Sequence, residues 1–154
     1  MSLQKGHLVS DFTLTGSNGE TLSLSSLEGS TIVIYFYPKD NTPGCTAESC
    51  SFRDFHSEFH SLNTVVIGIS PDDLKSHKKF VDKFSLPFTL LCDTEQTVSQ
   101  MFGVWKEKNM YGKTYMGVER STFVISSERK LLQEWRKVKV EGHVEEVLAY
   151  IKSI

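Results

Sequence analysis

Cysteine is the side chain in this sequence best suited to covalent chemistry, and it occurs at positions 45, 50 and 92. An odd count argues against a scaffold of paired structural bridges, and two thiols close together point to catalytic, redox or metal chemistry. Cys45 follows Pro43-Gly44 at what reads as the start of a helix. Unpaired backbone N–H groups and the positive end of the helix dipole favour a thiolate there. A buried, inert thiol is the alternative, but a Pro/Gly loop at a helix start is a poor place for one. Cys92 is the reverse case: it closes the apolar run FTLLC (88–92) and reads as a structural thiol in or near the core.

Helix geometry constrains the first pair. Five residues along an α-helix correspond to a rise of roughly 7.5 Å and a rotation of about 140°, which puts the two Cα atoms roughly 8.6 Å apart. A disulfide reaches only ~7 Å, so a Cys45–Cys50 bridge requires the first turns of the helix to unwind. On the same helix Phe52, Phe55, Phe59 and Leu62 follow helical spacing. Cys45 falls beside that stripe and faces inward, whereas Cys50 points away. The arrangement is odd for a permanent bridge and suits one thiol that reacts first and is resolved second.

Other chemically suggestive residues read as structure. Cys45, Cys50, His56 and His60 mimic a zinc ligand set, but a zinc finger needs about twelve residues between its cysteine and histidine pairs. Only five residues separate Cys50 from His56, so no metal is expected and the histidines read as solvated. Gly112-Lys113-Thr114 ends like a phosphate-binding loop, yet Glu107 stands where the first glycine is required. Arg129, Lys130, Arg136, Lys137 and Lys139 read as a solvated hairpin face. Trp105 and Tyr111 lie in what reads as a long loop, either bordering a site or packing the loop down.

The elements that must position Cys45 are legible as alternating strands and helices. DFTLTGSNGETLSL (11–24) alternates apolar and polar residues around Ser17-Asn18-Gly19, a β-hairpin signal. TIVIYFY (31–37) and TVVIGIS (64–70) are runs of buried-strand type. Ser70-Pro71-Asp72-Asp73 offers an N-cap, a first-turn proline and acids for a helix carrying Leu74, Phe80, Val81 and Phe84. FTLLC reads as a strand, Thr94 to Phe102 as a short helix, and STFVI (121–125) with KLLQEWRKV (130–138) as a hairpin. A last helix begins near Glu141 and uses Val144, Val147, Leu148 and Ile151. The order predicts an α/β fold: a thioredoxin-like central mixed β-sheet flanked by helices on both faces, with an N-terminal β-hairpin. Cys45 then sits at the carboxyl end of a central strand, where such sheets place their sites.

Composition narrows the function classes. With 154 residues and no linker or repeat, residues 1–154 are expected to form a single domain. Seventeen basic and nineteen acidic residues leave a net charge of −2, no footprint for nucleic acid or for an anionic membrane. No apolar run approaches the roughly 18 residues needed to span a bilayer. The opening MSLQKGHLVSDF has no secretory h-region, so a reducing cytoplasmic location is expected.

The run Pro38-Lys39-Asp40-Asn41-Thr42-Pro43-Gly44-Cys45 matches the pattern P-x-x-x-T-x-x-C of the peroxiredoxins. Its extension, PGCTAESCSFRD (43–54), resembles the bacterioferritin-comigratory, or Q-type, subgroup. The stretches DFTL, FGVWKEKNMYGKTYMGVERSTFVI (102–125) and WRKVKVEGHVEEVL (135–148) extend the likeness over nearly the whole chain. The resemblance implies that Cys45 is the peroxidatic cysteine, attacking a peroxide as thiolate and becoming a sulfenic acid. It implies that Thr42 hydrogen-bonds thiolate and peroxide, that Pro38 shields the sulfur, and that Arg120 favours the thiolate and polarises the O–O bond. Cys50 would be the resolving cysteine, forming an intramolecular disulfide that thioredoxin or a similar dithiol reductant reopens. Glu48 belongs to the subgroup motif and is expected to order Arg120. Two departures are modest: Ser10 replaces a usual proline, and Ser126-Ser127-Glu128-Arg129 replaces a usual Asp- and Gly-containing turn.

The reading is therefore a thiol peroxidase for hydrogen peroxide and organic hydroperoxides, with no cofactor. The subgroup implies a monomer, with a weak homodimer as the other state. Two alternatives stay open: a thiol–disulfide oxidoreductase on the same fold, whose chemistry normally uses the tighter C-x-x-C, and a redox-sensing interaction protein exposing Phe52 and Phe55 on oxidation.

Overall fold

The apolar run at 31–37 becomes the centre of the molecule in the computed structural model, which describes residues 3–154. β3 (Thr31–Phe36) pairs in parallel with β4 (Thr64–Ser70) and antiparallel with β8 (Ser121–Ile125). Every residue from Ile32 to Tyr37 is buried, as a strand covered on both faces requires. β1 (Thr13–Gly16), β2 (Thr21–Ser23), β5 (Thr89–Cys92) and β9 (Leu131–Trp135) complete a mixed sheet in the order β2-β1-β5-β4-β3-β8-β9.

Alternate side chains of β3 enter two cores. Val33, Tyr35 and Tyr37 pack with residues of α1 (Pro43–Asp54), α2 (His56–Ser61), α3 (Leu74–Phe84) and α5 (His143–Ser153). Ile32, Ile34 and Phe36 pack on the opposite face with Val9, Leu24, Phe102 and Val98, the last on α4 (Thr97–Met101). Each aromatic or branched side chain so buried contributes about 1.5–3 kcal/mol, which makes the middle of the sheet a firm platform. The thioredoxin-like sheet, the helices on both faces and the hairpin β1–β2 are all present.

Several boundaries differ from expectation, each for a local reason. Residues 103–120 are not a loop: β6 (Trp105–Met110) and β7 (Lys113–Val118) form a separate two-stranded hairpin. Its two-residue turn uses Tyr111 and Gly112, both left-handed (φ 54° and 80°), as tight hairpin turns demand. Mostly exposed strands such as WKEKNM carry little of the apolar alternation that reveals a strand. α3 begins at Leu74 with Asp73 as N-cap, its carboxylate accepting from Ser76 N–H at 2.9 Å, not at Pro71 behind Ser70. Ser70 Oγ accepts from Asp72 N–H at 3.2 Å and donates to its carboxylate at 2.6 Å, closing a local turn ahead of the helix that Asp73 caps. The phenylalanine helix breaks at Phe55 into α1 and α2, and Leu62 lies beyond it, exposed.

The basic stretch is only partly a solvated face. Arg129 donates to the Val9 carbonyl at 2.9 Å and pairs with Glu28 at 3.4 Å. Arg136 donates to the carbonyls of Phe102 and Gly103, both at 3.0 Å, and lies over the Phe123 ring. Both act as ties between β9 or its turn and neighbouring segments.

Candidate active site

α1 presents Cys45, Glu48, Ser49 and Phe52 to the core, spaced i, i+3, i+4 and i+7 as one helical face requires. Cys50 lies off that face and is half-buried, and all three cysteines are free thiols. Cys45 is the third residue of α1, behind Pro43 and Gly44, so its amide belongs to the turn that finds no intrahelical acceptor. Thr42, extended at φ −95° and ψ 155°, is the N-cap residue. Pro38, half-buried, leaves the sheet directly after Tyr37.

Sheet register delivers the cation. Phe36, the last residue of β3, pairs with Ser121, the first of β8, which sets Arg120 beside the loop that leads into α1. The Arg120 guanidinium donates from Nη2 to Cys45 Sγ at 3.4 Å and from Nη1 to Glu48 Oε1 at 2.7 Å. Its backbone carbonyl accepts from Val138 N–H at 3.0 Å, which holds the segment down. A Cβ at position 44 would lie 3.1 Å from Arg120 Nη2, tighter than nearly all real contacts, so Gly44 leaves the room in which the guanidinium reaches the sulfur.

Burial makes this cluster electrostatically demanding. Cys45 and Glu48 are essentially inaccessible, and Arg120 is mostly covered. Burial pushes the Glu48 carboxyl up to about 7, against the opposing pull of Arg120 through charge and hydrogen bond. Its second oxygen, Oε2, is the one buried side-chain polar atom without a partner among the described residues. Burial also lowers the Arg120 guanidinium's affinity for its proton, but Glu48 and Cys45 together outweigh it and the net shift is upward. Behind it, His143 accepts from or donates to Thr122 Oγ1 at 2.8 Å and is pushed down to about 4 by burial and by Arg120.

The structure thus brings together Cys45, Arg120 and Glu48, with Thr42 at the N-cap of the same helix and Pro38 at the start of the loop that leads to it. The Thr42 hydroxyl, however, donates to the Lys39 carbonyl at 2.9 Å, closing the turn before α1, where the resemblance implied a bond to the sulfur. Its oxygen keeps lone pairs for accepting. One residue near the site escaped sequence reasoning. Lys108 of β6 is half-buried, its ammonium lowered by burial and by Arg120 while Cys45 and Glu119 oppose that shift. Its stem would meet a Cβ at Gly117 at 3.2 Å. Nothing in a single sequence marks it, because the mostly exposed hairpin that carries it has no apolar alternation.

His56 and His60 lie one turn apart with ring centroids 6.3 Å from each other, and His56 is lowered by burial and by His60. Asp40, Asp72 and His77 come close enough to hold a cation, but their atoms are engaged by protein hydrogen bonds.

Comparison with known proteins bears on the family of the chain as a whole. Residues 6–133 match the AhpC/TSA family. The chain is 51% identical over 154 residues to peroxiredoxin Bcp of Bacillus subtilis strain 168, covering 100% of this chain and 98% of that one. A structure of Xylella fastidiosa PrxQ superposes with a TM-score of 0.94 at 37% identity, over 98% of this chain and 96% of that one. The Xanthomonas campestris bacterioferritin comigratory protein, whose structures address its alkyl peroxide reduction activity, is similar at a TM-score of 0.89 and 44% identity, over 92% and 90% of the two chains.

Proposed function

The chain belongs to the AhpC/TSA family, among its Bcp or Q-type peroxiredoxins, and from that premise we propose that its peroxidase cycle runs on Cys45 and Cys50 of one chain. The observation that carries the reading is the Arg120 guanidinium shared between Cys45 Sγ and Glu48 at the start of α1. Cys45 attacks the distal peroxide oxygen as thiolate. The O–O bond breaks, the alcohol or water leaves with a proton, and the sulfur is left as a sulfenic acid. Arg120 stabilises negative charge on sulfur and on the departing oxygen in a site from which Pro38 and the core exclude water. Glu48 positions Arg120 through the 2.7 Å bond. Thr42 accepts or donates at the substrate once its hydroxyl turns from Lys39.

Cys50 then condenses with the sulfenic acid, forming the S–S bond and releasing water. Both cysteines sit within the continuous α1, so its first turns must unwind for the Cα atoms to come within ~7 Å. A dithiol reductant of the thioredoxin kind restores both thiols by two exchanges. The cycle needs one chain only and suits a reducing, cytoplasmic setting. Among the described residues no helix is long and apolar enough to cross a membrane.

The test is stoichiometric peroxide treatment of the reduced protein with thiol counting and peptide mapping. Loss of two thiols with a Cys45–Cys50 linked peptide is expected. Sulfenic or sulfinic acid at Cys45 without that peptide would move resolution to an external thiol, and an unreactive Cys45 would overturn the reading.

A further inference from the structure

We infer that Asp40 and His77 form a latch that holds the Cys45 loop in its attacking conformation and so sets how readily the loop opens for resolution. Asp40 lies between Pro38 and Thr42, yet it is among the few buried acids of the chain. Its carboxylate accepts from Tyr37 Oη at 2.5 Å and from Ser76 Oγ at 2.8 Å, and it faces His77 Nδ1 at 2.7 Å. Its backbone N–H donates to Asp72 Oδ2 at 2.8 Å, an oxygen also bound by Ser70. The other ring nitrogen of the fully buried His77, Nε2, faces the Leu91 carbonyl at 2.9 Å. A carbonyl only accepts, so Nε2 carries a hydrogen, and a second hydrogen lies between Nδ1 and Asp40. One residue of the peroxidatic loop is thereby tied to Tyr37 at the end of β3, to Asp72 between β4 and α3, to α3 itself and, through the imidazole, to β5.

Such a network is out of proportion to holding a surface turn. Five residues on, the other side of the balance is Cys45, whose sulfur must leave the core stripe of α1 to meet Cys50. Unwinding the first turns needs slack from 38–42, and the latch denies slack at its midpoint. Asp40 and His77 touch neither sulfur nor substrate: they are positioning residues. Two fates compete for the sulfenic acid. While the loop is latched, a second peroxide oxidises it to sulfinic acid, with the peroxide reduced to alcohol or water. Once the loop opens, Cys50 forms the disulfide with loss of water.

The inference rests on the resolving role of Cys50, so wild-type protein is mapped first: absence of the Cys45–Cys50 peptide would overturn that role and the latch with it. With the peptide present, the peroxide concentration giving half-conversion of Cys45 to sulfinic acid is measured by mass spectrometry in wild type, His77→Asn and Ser76→Ala. The single-turnover rate of peroxide attack and amide exchange over residues 38–46 are read alongside. Loss of a hydrogen bond to a charged group is expected to raise the half-conversion concentration about tenfold in His77→Asn and about threefold in Ser76→Ala. Exchange at 38–46 rises in step, while attack slows only by the fraction of loops opened. Ser76→Ala removes one half-exposed hydroxyl and keeps the test alive if His77→Asn does not fold. Unchanged partition in a folded variant, or attack and partition falling by the same factor, would overturn the latch.

Discussion

Cys45 and Cys92 each lie at the carboxyl end of a central parallel strand or in the segment just beyond one, and they are opposites in chemistry. Cys45 is fully buried but faces a guanidinium at 3.4 Å and the open end of α1. Cys92 is only half-buried, yet its thiol is pushed up to about 11 by burial and by the carboxylates Asp40, Asp73 and Asp72. The neighbour of the more deeply buried Cys45 is a cation, whereas burial is the larger cause at Cys92 and the carboxylates add to it. At pH 7 a thiol of that kind is about one part in ten thousand thiolate, too little for a peroxide-reducing nucleophile.

The contrast can be broken at its strong end first. Cys45→Ser is expected to abolish peroxide turnover while Cys92→Ala leaves it within about twofold, in a coupled assay with a dithiol reductant. Arg120→Met, which keeps bulk and removes the charge, is expected to slow single-turnover attack by about 10²–10³-fold. Equal activity in that variant would show that the helix end alone activates the sulfur. Cys50→Ser is expected to retain the first attack and lose cycling with the dithiol reductant; undiminished cycling would bring Cys92 forward as the resolving thiol.

Glu48 sharpens the comparison through pH. Its folded value near 7 lies above the ordinary value of 4.5, so its contribution to stability is full below about 4.5 and is lost as pH rises through 7. His143, held near 4 against an ordinary value of 6.5, contributes the reverse: stability present above 6.5 and lost as pH falls toward 4. Each amounts to roughly 3 kcal/mol over its window, and between pH 4.5 and 6.5 the two slopes oppose. Glu48→Gln is expected to unmask a stability that rises with pH there, measured by urea melts. The smallest effect belongs to Cys92. Asp73→Asn keeps the N-cap of α3 and removes one facing charge, so iodoacetamide should label Cys92 about twofold faster at pH 8.

The same contrast shows what a sequence reveals. The loop PKDNTPGC and the helix after it are local, and their turn residues and spacing marked Cys45 directly. Arg120 carried no local signal and entered through resemblance, since 75 residues separate it from Cys45. Lys108 and the β6–β7 hairpin were missed because exposed strands lack an apolar period. Nothing local singles out Asp40 or His77, and only their 2.7 Å contact across 37 positions gives them a role.

Sequence alone determined the alternation of strands and helices, a helix start within two residues of Cys45 and the 45–50 spacing that forbids a bridge within an intact helix. Those follow from backbone geometry and short-range periodicity, which repeat within a few residues. Tertiary structure decided which charge faces which thiol. That depends on the register Phe36↔Ser121, which sets Arg120 over Gly44 and Cys45, and on α3 packing where its acidic N-terminus faces Cys92. Electrostatic environment is a sum over distant segments brought to a few ångströms, and no window of the chain contains it.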